Sequence, residues 1–350
     1  MTAEPLLPPI TCPSSLVASC APLLGFVPAD CVVAFIQGVP GRRSPVIMRV
    51  DLPPVGGATS FAADIAPRIA RTGGCAIDVV AWVADEDSAS RHELTSTPFL
   101  VALEDALGLG GIEVGASLST NGRVWWSHSC SDPVCCPEAS TALEPATMDA
   151  VRAEYAFAGY APLASREKLG DRVARDELRA GRVGRAMSGA RPARPTLRWC
   201  DAQIRFLTEL LMPTDACDSR AAPLSTAKAA RLLRGLSDTR VRDVLLHRLV
   251  VRGRHCQGCW AGTIETLCDA LRCAPLGAAA PAATILALVA WMVGEGSLAT
   301  ICVQRALEED PGHRLAAMAS QLMGQGTDPR LWRESLTGLS EAECRSPGRR

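Results

Sequence analysis

Aromatic side chains are scarce, at 4% of 350 residues, and lysine is nearly absent, with Lys168 and Lys228 alone against a background of arginine. Packing therefore falls to alanine, leucine and valine. An apolar fraction of 48% against a charged fraction of 21% excludes a disordered chain. Missing too is any apolar run of about 20 residues, the length that a bilayer span requires. The most apolar stretch, GAAAPAATILALVAWMV at 277–293, is rich in alanine and interrupted by Pro281, and reads as a buried helix. The N-terminal MTAEPLLPPITCPSSLVASC places no basic segment ahead of an apolar one, so no export signal and no membrane are expected. A cytoplasmic location follows, in which thiols stay reduced. The fifteen cysteines are then buried small hydrophobes, metal ligands or reactive thiols, not a disulfide framework. No P-loop, dinucleotide fingerprint or nucleophile elbow occurs, so no motif assigns a reaction.

What is present divides the chain in two. Residues 1–150 hold 7 arginines and 16 acids, a balance of −9, and the remainder carries +8. Buried β-type runs alternate with amphipathic stretches as far as residue 145. CVVAFIQ at 31–37 is apolar throughout, PVIMRVDL at 45–52 follows a short turn, and AIDVVAWVA at 76–84 is a third strand. Residues 112–118 make a fourth, Asn121-Gly122 signals a hairpin, and 123–130 return as a fifth. Helices are expected at 16–24, 59–72 and 99–107. After residue 146 the strand signals vanish. The expected fold is α/β: an N-terminal layered α/β domain with a mixed sheet at 1–145, followed by an all-α helical domain at 146–335. A basic Gly/Pro-containing linker is expected near 181–195 and a disordered tail at 336–350.

The most distinctive stretch is GRVWWSHSCSDPVCCPEAS at 122–140, which closes the α/β part. Period-two alternation along a strand puts Val124, Trp126, His128 and Cys130 on one face. Asp132-Pro133 then turns the chain, which brings Cys135 or Cys136 back towards Cys130. Three thiolates and an imidazole suit tetrahedral zinc, so Cys130, Cys135, Cys136 and His128 are the candidate metal ligands. The Cys-x4-Cys-Cys spacing is not that of a Cys-x2-Cys knuckle. A reactive thiol and plain packing beneath Trp125 and Trp126 therefore stay open beside zinc. A second group, His255, Cys256, Cys259, Cys268 and Cys273, contains a true Cys-x-x-Cys. Its other pair is five residues apart on an expected helix, about 140° around the axis, which disfavours a shared site.

Several stretches resemble one actinobacterial family known only as domain-of-unknown-function family 4192. They are PLLGFVPAD at 22–30, RVDLP at 49–53, GRVWWSHSC with DPVCCPE, and RDVLL at 242–246. The likeness continues from Ala290-Trp291 through Glu309-Asp310-Pro311-Gly312 and Arg314-Leu315-Ala316 to Trp332. It includes the three cysteines of the corner and implies no activity. Ser127-His128 departs from it, standing where a serine followed by an aromatic is expected. Near the C-terminus, Ala287, Ala290, Ala299 and Ala306 with Pro311 resemble one tetratricopeptide-type hairpin, in which small residues allow close helix approach.

Residues 166–198 hold ten basic side chains against four acids, but without stacking aromatics or a recognition motif, so nucleic acid is not the expected partner. The reading that follows is a cytoplasmic, non-catalytic interaction protein whose helical half holds a protein partner. Its alternative is a thiol- or zinc-dependent protein, an enzyme included, built on Cys130, Cys135 and Cys136.

Overall fold

The structure is a computed structural model that describes residues 8–83, 88, 90–130, 132–188, 195–212, 222–252 and 257–345. It comprises two compact units, an α/β unit over Ala3–Lys168 and a helical unit over Leu169–Arg350 together with Met1–Thr2. The boundary falls later than residue 145 because the helix that follows the sheet packs on the first helix of the chain.

In the α/β unit, α1 (Pro13–Leu24) leads into β1 (Cys31–Gln37) and β2 (Val46–Asp51), and α2 (Ala58–Arg71) into β3 (Ala76–Trp82). Then come α3 (Thr97–Leu109), β4 (Glu113–Thr120), β5 (Val124–Ser127), β6 (Thr141–Ala142) and α4 (Pro145–Phe157). The sheet order is β2-β1-β3-β4-β5-β6. β3 and β4 run parallel, and every other neighbouring pair is antiparallel. The mixed α/β sheet is thus the expected one, with the two-residue β6 added at its edge.

The apolar run of β1 finds both its faces covered. Val32, Ala34 and Ile36 join Ile77, Val79 and Ala81 in a core closed by Ile65 and Ile69 of α2 and by Phe99 and Leu103 of α3. Val33 and Phe35 alternate to the other face and are also fully buried. This two-sided burial is what a continuous apolar strand encodes.

The chain passes from one unit to the other within α5 (Arg166–Asp171). The helical unit continues through α6 (Glu177–Ser188), α7 (Leu197–Leu211), α8 (Thr226–Leu236), α9 (Thr239–Arg252) and α10 (Gln257–Arg272). It closes with α11 (Ala280–Val293), α12 (Gly296–Glu309), α13 (Arg314–Gly324), α14 (Pro329–Thr337) and α15 (Glu341–Cys344). Two expectations are corrected here. Residues 181–188, expected as linker, are helical because Ala180 and Val183 supply a buried stripe and Gly184 lies against Pro275; residues 189–194 lie outside the described residues. The tail expected to be disordered from 336 carries the end of α14 at Thr337 and, after a turn, α15 at Glu341–Cys344; residues 346–350 lie outside the described residues. Arg248 grips Glu341 with two hydrogen bonds of 3.0 and 2.9 Å, and the His247 ring bonds the Leu339 carbonyl at 2.7 Å.

Among the described residues no helix is long and apolar enough to cross a membrane. The apolar run at 277–293 becomes α11, buried along most of its length. Gly294 turns the chain with φ of 90° and α12 packs back on α11. Ala287, Ala290, Ala299 and Ala306 are each fully buried. Ala290→Leu adds three carbons where no space exists, and is expected to cost about 1–3 kcal/mol in urea unfolding. A loss below about 0.5 kcal/mol, the range of ordinary surface changes, would contradict close packing at this position.

Candidate metal centre

The corner is built from a hairpin outward. Asn121 Oδ1 accepts the backbone N–H groups of Arg123 and Val124, both at 3.0 Å, and Gly122 takes φ of 85°. β5 returns beside β4 with Trp126 opposite Ser119 and Ser127 opposite Leu118. The strand then ends, three residues earlier than its sequence pattern suggests. Cys130 N–H turns back to the Ser127 hydroxyl at 3.3 Å, so alternation stops. His128 and Cys130 therefore do not share one site.

His128 Nε2 lies 2.8 Å from Ser119 Oγ, which is 2.8 Å from Ser96 Oγ. Cys130 instead meets the cysteines that follow. Asp132 makes the turn: its carboxylate accepts from Val134 N–H and its carbonyl from Cys136 N–H, each at 2.8 Å. This places the sulfurs of Cys130, Cys135 and Cys136 all within 4.8 Å of one another. His128 is not in that group. Trp126 packs with Val83 and Leu94, while Cys135 is exposed and Cys130 and Cys136 are partly so.

Arg91 fastens the corner from across the unit. Its Nη1 donates to the carbonyls of Ser127 at 2.8 Å and Cys130 at 3.0 Å, and its backbone N–H donates to the Glu138 carbonyl at 3.1 Å. One residue so ties both ends of the loop that carries the cysteines, by its side chain at Ser127 and Cys130 and by its backbone at Glu138. Nothing in the sequence marks Arg91, because its partners are backbone oxygens 36 and 39 residues away.

The thiols differ in acidity. The backbone N–H of Asp132 and the neighbouring Cys136 and Cys135 thiols hold Cys130 below the ordinary cysteine range. Burial, with the protons shared towards Cys130, pushes Cys136 up to about 11. A single negative charge is thus easily formed at Cys130, and further ones are opposed. A soft cation placed among the sulfurs removes that opposition. Spacing fits such an ion: tetrahedral zinc with bonds of about 2.3 Å sets its sulfurs about 3.8 Å apart, and Cys135 Sγ and Cys136 Sγ are 3.8 Å apart.

A family model described as Domain of unknown function (DUF4192) matches residues 13–330, most of the chain. The chain belongs to the DUF4192 family. No curated protein and no solved structure matches it. The DUF4192 match takes in the whole cysteine corner and both helices of the α11–α12 hairpin.

The remaining candidates in this DUF4192 chain go elsewhere. Cys268 and Cys273 are buried, and desolvation pushes the Cys268 thiol up to about 12. His255, Cys256 and the side chain of Cys259 lie outside the described residues. The Ser119–His128 contact has the spacing of a nucleophile and its base. Ser119 and Ser96 are, however, wholly buried, so no substrate reaches that hydroxyl.

Proposed function

We propose that the α/β unit of this protein binds one zinc ion through the thiolates of Cys130, Cys135 and Cys136, and that ligation holds the loop between β5 and β6 closed. The convergence of the three sulfurs carries this reading. Three protein ligands leave one tetrahedral position for a solvent molecule or an incoming ligand. His128 is engaged with Ser119 and is not the fourth ligand in this reading. A reducing compartment such as the cytoplasm is implied, because the thiols must remain free to ligate.

Cobalt(II) tests the ligand set directly, since it takes the same tetrahedral thiolate sites and colours them. Titrated into the metal-free chain, cobalt should give a near-ultraviolet sulfur-to-metal charge-transfer band that saturates at one equivalent and is displaced by zinc. The C130S/C135S/C136S variant should give none. A spectrum that the substitutions do not change would overturn the assignment.

The helical unit supports a second, compatible reading as the part that holds a protein partner. What favours it is the α11–α12 hairpin, in which Ala287, Ala290, Ala299 and Ala306 are buried. Cross-linking of the full chain in its native cells should then recover a partner on peptides of the helical unit. Cross-links confined to the α/β unit would count against it.

A further inference from the structure

A second site lies within the α/β unit, away from the cysteines. A cavity of about 850 Å³ opens between α1, α4 and the ends of β3 and β4. That volume falls in the range of small-molecule pockets, about 300–1,000 Å³. Its position has a physical meaning. β3 and β4 are the parallel pair of the sheet, Trp82 is the last residue of β3, and Asn121 and Gly122 follow the last residue of β4. Ligands of open α/β sheets bind outside the carboxyl ends of the strands.

The walls are held in place before any ligand arrives. The segments before β1 and after α4 are joined by a parallel bridge between Phe26 and Leu163, with Val27 N–H to the Leu163 carbonyl and Leu163 N–H to the Gly25 carbonyl, both at 2.9 Å. Gly122 sits against the Trp82 ring, and a Cβ there would come within 3.4 Å of it. The lining from α1 is aliphatic, with Val17 and Ala21 among it, and Trp82 adds an aromatic wall.

Charge selects the ligand. Among the described lining residues the charged ones are Arg123 and Arg152, with no carboxylate. Arg152 has Asp149 at 3.7 Å, but both are largely exposed, and such a pair contributes little. Two cations at an apolar cavity stand out because residues 3–168 as a whole hold 10 Lys/Arg against 18 Asp/Glu, a balance of −8. We infer that this cavity binds a small carboxylate with an apolar body, its chain or ring against Trp82 and α1 and its carboxylate towards Arg123 and Arg152. The inference does not depend on zinc at the cysteine corner.

Calorimetric titration of the full chain with octanoate, and with octanol as its uncharged counterpart, tests it. The native protein should bind octanoate up to about fivefold more tightly than octanol, the ratio that an ion pair to exposed arginines supplies. R123A/R152A, two exposed substitutions that leave the core untouched, should bring octanoate down to the level of octanol. Ala21→Trp, which fills the cavity, should remove both. No binding of octanoate at millimolar concentration, equal binding of the two ligands by the native protein, or octanoate affinity unmoved by R123A/R152A would each overturn the inference. Failure of Ala21→Trp to fold leaves the arginine comparison decisive.

Discussion

Zinc added to the metal-free protein should bind once per chain and raise its resistance to unfolding, and the C130S/C135S/C136S variant should show neither effect. The size of the shift follows from mass action, because a ligand that binds only the folded state at a thousand times its dissociation constant adds about 4 kcal/mol. The same variant separates ligation from packing. Cys135 is exposed and Cys130 and Cys136 are partly exposed, so trading their sulfurs for oxygens should change metal-free stability by no more than about 0.5 kcal/mol. A loss of several kcal/mol without metal would mean that the thiols are packing elements. Zinc affinity should also rise with pH. The Cys136 thiol, pushed up to about 11, must give up its proton to the solvent before it can ligate. Each proton displaced makes the apparent affinity climb about tenfold per pH unit. Affinity flat between pH 6 and 8 would show that thiolates are not the ligands.

His128 should make the metal-free protein sensitive to mild acid. Desolvation, reinforced by the charge of Arg91 and by His92, pushes its imidazole down to about 4 from an ordinary 6.5. Between those values the unfolded chain holds a proton at His128 that the folded chain does not. The stability is therefore present in full above pH 6.5 and is lost as pH falls towards 4, where the loss reaches about 3 kcal/mol. His128→Asn cannot take up that proton and still offers a partner to the Ser119 hydroxyl. Urea unfolding at pH 7.5 and 4.5, with chelator present, should show the native protein losing about 2–3 kcal/mol more than the variant. His313 is also held below its ordinary range by burial, but it is present in both proteins and cancels in the comparison. Parallel losses in the two proteins would place His128 in contact with solvent.

The parts of the fold that were legible in the sequence are those set by local periodicity. β1 begins and ends where apolar spacing puts it. The mixed sheet followed by helices is the expected architecture. Where distant groups decide, the pattern falls short. β5 stops at Ser127 because a side chain of the strand itself captures the Cys130 N–H, an event that alternation does not encode. Residues 181–188 look like a linker for their glycines and arginines, yet Val183 and the neighbouring Pro275 make them a packed helix. At the corner, the three sulfurs converge because the turn at Asp132 folds the chain back. His128 instead meets Ser119 of the neighbouring strand, a contact that period-two alternation does not encode. Arg91 left no signal, since it recognises only carbonyls brought near by the fold.

Elemental analysis of the purified full chain by mass spectrometry tests most directly whether Cys130, Cys135 and Cys136 hold a metal ion. About one zinc per chain in the native protein, falling to background in C130S/C135S/C136S, is the predicted result. Less than about a tenth of an equivalent in native protein purified without chelator and offered zinc would contradict it.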